Sequence, residues 1–227
     1  MRGGGSHCIG LRCGRAQKPL FDIEVQYHSK GSVIFEWHPA GTFLATCGAN
    51  RVVNIFNRQG VPQTQGIPLE GSGRCLKLDW DQEGDTLAIL QQGSPIVRLF
   101  DVNQGLESTL DTSMKDLTYL RWSRTQPVLA VGTAKGNLLL FSKRTLRKQS
   151  IMGKHAKRII AGAWSSSGEL VLGGEDKQLT MSNDDGETIT QHSLRGDPYD
   201  LKFTSRDDIH GTHSVAGQVD VVTGLGL

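Results

Sequence analysis

CLKLDWDQEGDTLAILQQGSPIVRLF, residues 75–100, holds one full instance of a pattern that the chain repeats. An alternating apolar stretch ends at Trp80, a turn-forming Asp81-Gln82-Glu83-Gly84 follows, a second apolar run starts at Leu87-Ala88, and a third closes on Phe100. Alternation with a period of two, bounded by Gly- and Asp-rich turns, reads as short β-strands joined by hairpins. The four tryptophans, Trp37, Trp80, Trp122 and Trp164, stand 43, 42 and 42 residues apart, so all of the tryptophan lies on one period.

The neighbours repeat with it. A glycine stands four residues after the Trp at Gly41, Gly84 and Gly168, and a Leu-Ala pair follows at Leu44-Ala45, Leu87-Ala88 and Leu129-Ala130. The fourth unit has Leu170-Val171 instead, one residue early, and Phe56, Phe100 and Phe141 close the third strands. First strands read SVIFEW (32–37), CLKLDW (75–80), LTYLRW (117–122) and RIIAGAW (158–164), and no window sustains a helical period. Four short strands every 40 to 45 residues match the period of a β-propeller blade. One twisted four-stranded sheet cannot bury both of its faces, whereas sheets stacked radially cover each other, which explains apolar groups in both registers of these strands. The fold class is therefore all-β, with about four and a half propeller blades.

Composition narrows the function classes. Charged residues make up 21% and the formal net charge is +2, so whole-molecule electrostatics favour neither nucleic acid nor an anionic membrane. Cys8, Cys13, Cys47 and Cys75 form no C-x-x-C pair and no zinc spacing, so free thiols are expected, with no metal and no cofactor. No stretch approaches the roughly 18 apolar residues of a transmembrane segment. Residues 1–17 read as a flexible leader, 18–204 as the partial propeller, and 205–227, which lose the Trp and Leu-Ala markers, as a divergent, disordered tail. Within the propeller, KPLFDIEVQY (18–27) alternates Phe21, Ile23, Val25 and Tyr27 and reads as a strand ahead of the first unit, lacking a partner.

The units resemble WD repeats. The Trp-Asp dipeptide of that family survives in degraded form as Phe56-Asn57, Phe100-Asp101, Phe141-Ser142 and Ser182-Asn183. Gly153-Lys154-His155 looks like an interrupted Gly-His element, and Asp176 takes the family's turn between second and third strands. The resemblance implies a hydrogen-bonded structural role for His155 and Asp176, kept only in the fourth unit. Read whole, GANRVVNIFNRQG (48–60), LDWDQEGDTLAIL (78–90), AVGTAKGNLLLFSKRTLRKQSIMGKHAKRI (130–159) and LGGEDKQLTMSNDDGETI (172–189) resemble the amino-terminal propeller of the intraflagellar transport protein 144 family. That resemblance implies a subunit of intraflagellar transport complex A, acting in retrograde transport along the cilium or flagellum, in cilium assembly and in delivery of membrane proteins. It further implies the cytoplasm, cilium and basal body as locations, and other complex A subunits and ciliary cargo adaptors as partners. Such propellers have about seven blades; the units present leave the ring incomplete, expose the apolar faces of the terminal sheets and favour self-association of the chain. Rival readings are a WD-repeat adaptor of a ubiquitin ligase or vesicle coat, and a truncated product without function.

The densest charge run, Lys143, Arg144, Arg147, Lys148, Lys154, Lys157 and Arg158, is a candidate basic patch for an acidic partner surface or, peripherally, phosphoinositide headgroups; the absence of aromatics within it and its place on an edge favour a solvated edge strand instead. Catalysis finds no motif: G-x-S-x-G, P-loop and H-E-x-x-H are absent. His7, His28, His38, His192, His210 and His213 fall in leader, turn, edge or tail positions, and Asp184-Asp185 precedes Gly186 in a hairpin turn. The inner strands offer mainly apolar and small residues, which argues against an enzyme built around the central channel.

Overall fold

Each tryptophan unit folds into one antiparallel sheet. In the computed structural model, residues 21–203 are described in full, together with the backbone of the strands Ile209–Val215 and Gln218–Leu225. Blade 1 comprises β1 (Ile34–Trp37), β2 (Phe43–Cys47), β3 (Val52–Asn57) and β4 (Ile67–Pro68). Blade 2 comprises β5 (Cys75–Trp80), β6 (Thr86–Gln91), β7 (Ile96–Asp101) and β8 (Leu106–Asp111), and blade 3 comprises β9 (Leu117–Trp122), β10 (Val128–Thr133), β11 (Leu138–Ser142) and β12 (Lys148–Ile151). Blade 4 holds β13 (Ile159–Trp164), β14 (Leu170–Gly174), β15 (Gln178–Ser182) and β16 (Thr188–Ser193). A fifth, three-stranded sheet holds β17 (Asp197–Phe203), β18 (Ile209–Val215) and β19 (Gln218–Leu225). The first strands β1, β5, β9, β13 and β17 are neighbours in succession, and no packing of similar extent returns from β17 to β1. The arc is open.

A cross-strand row explains the repeat. Trp37 pairs with Leu44 and Leu44 with Phe56; Trp80, Leu87 and Phe100 form the same row, as do Trp122, Leu129 and Phe141. In blade 4 the row ends Trp164, Leu170, Ser182, so the early Leu170 holds the regular register on a shorter turn. Each row faces the preceding blade: Trp80, Leu87 and Phe100 pack with Ala45, Cys47, Val53 and Ile55, while Trp122, Leu129 and Phe141 pack with Ala88, Leu90 and Val97. The Leu of each Leu-Ala pair thus packs beside its own Trp, and the Ala turns to the opposite face, into the seam with the next Trp. Ala45, Ala88 and Ala130 share seams with Trp80, Trp122 and Trp164. Where the following sheet brings no tryptophan, the position is the larger Val171, in a seam with Leu179, Met181 and Leu201. Large against small across each seam lets the sheets interdigitate at protein packing density. At the turn after β5, Gly84 sits at φ +80°, and a Cβ there would fall 1.8 Å from the His38 ring of blade 1, so both backbone and space require glycine.

Two expectations are corrected. The segment ahead of β1 is no strand: its described part is irregular from residue 21 and then a single 3-10 turn, Val25–Tyr27. Ile23 is buried among Leu44 and Phe56, with Phe21, Tyr27 and Trp37 around them, so the segment lies against the open face of blade 1 instead of pairing with its edge. Tyr27 meets Phe56 edge-on, ring centroids 5.2 Å apart. The reason is geometric: the row Trp37, Leu44, Phe56 has no preceding blade, and burial of that apolar face outweighs the local alternation. The second correction concerns the tail, much of which is strand. The lost markers report seam packing, whereas β19, QVDVVTGL, keeps the β-branched composition that a strand needs. The leader 1–17, with His7, Cys8 and Cys13, lies outside the described residues.

Candidate interaction surfaces

His155, Asp176 and Thr180 are joined in one hydrogen-bonded network. His155 Nδ1 donates to Asp176 Oδ1 at 3.0 Å, and with that tautomer Nε2 accepts from Thr180 Oγ1 at 3.0 Å. Asp176 Oδ2 also accepts the Ala156 N–H at 2.8 Å. Burial pushes the Asp176 carboxyl up, but the Ala156 N–H, the His155 ring and the Gln178 N–H outweigh it and hold the carboxyl below its ordinary range. The third-strand position that a tryptophan fills in well-formed WD repeats is Ser182 here, its buried Oγ without a partner among the described residues. These groups brace the blade 3 to blade 4 connection, with the His155 side chain fully buried and Asp176 partly exposed. His28 was not legible as their twin, yet it is buried, with Nε2 2.7 Å from Thr46 Oγ1 in blade 1. The available signal was spacing: His28 and His155 both stand nine residues ahead of their unit's Trp.

The central channel is the larger departure from expectation. The residue immediately before the Trp is charged in three units, Glu36, Asp79 and Arg121, and these meet at the inner strands. Asp79, 1% exposed, accepts the Trp122 backbone N–H at 2.5 Å through Oδ2 and the Arg124 guanidinium at 2.9 Å through Oδ1, while Arg121 lies 3.4 Å away. Burial lifts the Asp79 carboxyl, against the opposing pull of Arg121, Arg124 and the Trp122 N–H; burial and then Asp79 lift Glu36 as well. The inner strands are mainly apolar in composition, as expected, but the side chains they turn toward the channel include these charges. They line a cavity of about 340 Å³ with Glu36, Lys77, Tyr119, Arg121, Asp200 and Lys202 among its walls. Paired charges of both signs tie blades 1, 2 and 3 together. The indoles add to this: Trp80 Nε1 donates to the Glu36 carbonyl and Trp164 Nε1 to the Arg121 carbonyl, each at 3.2 Å. Trp122 Nε1 has no partner among the described residues, and at that seam the Asp79 carboxylate supplies the link instead.

The basic run does not assemble as one patch. Antiparallel pairing puts the β11–β12 turn, with Lys143, Arg144 and Arg147, at one end of β12, and the β12–β13 connection, with Lys154, Lys157 and Arg158, at the other. Lys143 Nζ is 2.5 Å from Asp81 Oδ2, Lys148 Nζ donates to the Asp111 carbonyl at 2.7 Å, and Arg158 lies 3.4 Å from Glu175. Lys154 Nζ donates to the Gly186 carbonyl at 2.9 Å and to Thr188 Oγ1 at 2.7 Å, and burial lowers its pKa to about 8. Arg144 and Arg147 are exposed and, among the described residues, in no ion pair. Next to them, at the outer end of the blade 2 to blade 3 seam, lies a groove of about 390 Å³ lined by Leu99, Leu110, Phe141, Leu146, Lys143 and Lys148, among others. Asp184-Asp185 occupies the turn before Gly186, φ +78°, as expected. Among the described residues no group of three or more His, Cys, Asp or Glu could hold a metal ion, and no helix is long and apolar enough to cross a membrane.

The family model for the WDR19 first β-propeller matches residues 33–223. The chain belongs to that family. The match takes in all five sheets of the arc, the last included. WD repeat-containing protein 19 of Mus musculus is 39% identical over 209 residues, covering 91% of this chain and 15% of the relative; the Homo sapiens protein of that name is 39% identical over 210 residues, with the same coverage. WD repeat-containing protein dyf-2 of Caenorhabditis elegans is 29% identical over 182 residues, covering 78% of this chain and 13% of the relative. The chain thus spans about 15% of the length of the WDR19 relatives it matches. A chain of the solved "Crystal Structure of Mitotic Checkpoint Complex" superposes with a TM-score of 0.72 at 20% identity, covering 82% of this chain and 59% of that one, a likeness of fold alone.

Proposed function

We propose that this WDR19-type propeller arc is a non-catalytic protein-interaction module of an intraflagellar transport complex A subunit, serving retrograde transport along the cilium and delivery of membrane proteins into it. The observation that carries the reading is the match to the WDR19 first propeller over residues 33–223, with its blade rows intact. Supporting it, Glu36, Asp79, Arg121 and Arg124 are engaged in ties between blades, and His155 and Asp176 satisfy each other. Partners on this reading are other complex A subunits and cargo adaptors, and the location is the cytoplasm, basal body and cilium. A protein partner is favoured over phosphoinositide because the seven cations divide between two ends of β12 and four are already engaged.

The test is affinity capture of the tagged 227-residue chain from ciliated cells, with imaging of the tag. Recovery of complex A subunits and signal at the basal body and cilium is the expected result. Recovery of cullin adaptors or coat subunits, with the tag absent from cilia, would sink the ciliary assignment in favour of a ubiquitin-ligase or vesicle-coat adaptor.

A further inference from the structure

We infer that the groove at the outer end of the blade 2 to blade 3 seam binds a short partner segment in which an apolar side chain is flanked by carboxylates. The inference deepens the interaction-module reading and rests on it. The buried Leu99, Leu110 and Phe141 supply the apolar floor of the groove, whose volume of about 390 Å³ has room for one large side chain. Leu146 stands at its lip, 72% exposed and at φ +57° in the β11–β12 turn. A leucine gains nothing from either condition: the left-handed region suits Gly or Asn, and water disfavours the side chain. Such a residue is expected where a surface contact repays both costs.

Charge selects the occupant. Arg144 and Arg147 flank Leu146 in the turn, both exposed and without an ion pair among the described residues, while Lys143 and Lys148 are fixed at the rim by Asp81 and by the Asp111 carbonyl. The acidic residue of the lining, Asp101, spends Oδ1 on the Asn103 and Gln104 N–H groups at 2.9 and 2.8 Å. Arg144 and Arg147 outnumber Asp101, so the charge balance at the groove is positive, and a carboxylate on either side of an inserted apolar group would meet Arg144 and Arg147. A wholly acidic segment would leave the apolar floor uncovered, and a wholly apolar one would leave both guanidiniums unmet. The mixed segment satisfies both.

The test is fluorescence anisotropy of the 227-residue chain with a labelled short peptide alternating glutamate with leucine and phenylalanine. Saturable binding is expected, weakened about tenfold or more by Leu146→Ser, by Arg144→Glu with Arg147→Glu, and by replacing the peptide glutamates with glutamine. Lys157→Glu, at the other end of β12, should leave binding unchanged. All these positions are exposed, and matched unfolding temperatures would confirm that the variants fold alike. Failure of the probe to bind, binding indifferent to Leu146→Ser, or binding lost equally with Lys157→Glu overturns the proposal. So does Arg144- and Arg147-dependent binding to phosphoinositide vesicles in place of the peptide. Peptide binding without capture of complex A subunits would sink the ciliary reading and leave the groove; the reverse would sink the groove alone.

Discussion

The side chain of Asp79, on the first strand of blade 2, accepts the backbone N–H of Trp122, on the first strand of blade 3, at 2.5 Å. The same carboxylate holds the Arg124 guanidinium, which also donates to the Trp80 carbonyl at 2.9 Å. One buried acid thus joins two blades at the seam whose indole N–H is unpartnered. Removing it with Asp79→Ala would strand the buried Trp122 N–H and leave Arg121 and Arg124 to pair with Glu36 alone, at 3.6 and 3.9 Å, a loss of about 1 to 3 kcal/mol for an orphaned buried donor. Urea denaturation of the variant should show it. Glu107→Ala, which breaks the more exposed pair with Arg98 on the outer strands, should cost no more than about 1 kcal/mol.

The alanines of the Leu-Ala pairs predict a different failure. Ala88 is wholly buried in the seam that contains Trp122 and Leu120, so Ala88→Leu drives a side chain into space already filled by the next blade. Overpacking of that kind costs about 1 to 3 kcal/mol. At the equivalent position in blade 4, exchanging Val171 for Leu faces Leu179, Met181 and Leu201 with no indole among them and should be better tolerated. Comparing the urea midpoints of the two variants checks the rule.

That rule shows what the sequence could carry. The Trp, Leu-Ala and Phe markers are seam residues, so their period reported the blades and the register within each blade. The same markers are silent on what lies outside the seams. Loss of Trp and Leu-Ala after residue 204 suggested disorder, although β18 and β19 need only extended, β-branched backbone. Phe21, Ile23 and Tyr27 alternate like a strand, yet their role is decided by an open face that only the three-dimensional arc reveals. Linear charge misled for a related reason: residues adjacent in the run from Lys143 to Arg158 are parted by a strand, whereas Glu36, Asp79 and Arg121, 43 and 42 residues apart, are brought together by the repeat.

His28 supplies a pH dependence. Burial lowers its pKa below the ordinary histidine value of about 6.5, so on acidification the unfolded chain takes up a proton that the folded chain refuses. The stability contribution is complete above the unfolded pKa, declines as pH falls below about 6.5, and levels off once pH is below the folded pKa. The melting temperature should therefore drop between about pH 7 and pH 5. His28→Gln, which keeps a polar group near Thr46, should flatten that part of the profile; an unchanged slope would place the titration elsewhere.

Ile23 tests the covering of blade 1. Its side chain is 2% exposed against Leu44 and Phe56, and the segment is held by more than apolar contact, since Asn50 Nδ2 and Asn54 Nδ2 donate to the Tyr27 carbonyl at 2.7 and 2.9 Å. Those bonds and Ile23 act on the same segment from its two ends. Ile23→Asp would place a carboxylate in an apolar site with no cation to meet it, and the segment would lift from the sheet before the charge is buried. The row Trp37, Leu44, Phe56 would then face water, an apolar blade face with nothing stacked on it, and such faces associate. Sedimentation velocity should show the variant forming dimers or larger species at concentrations where the parent chain is monomeric. Asn54→Ala should weaken the covering without adding charge and give a smaller shift. Identical sedimentation of all three would mean that residues 21–27 do not protect the face, and that the open end of the arc is tolerated by other means.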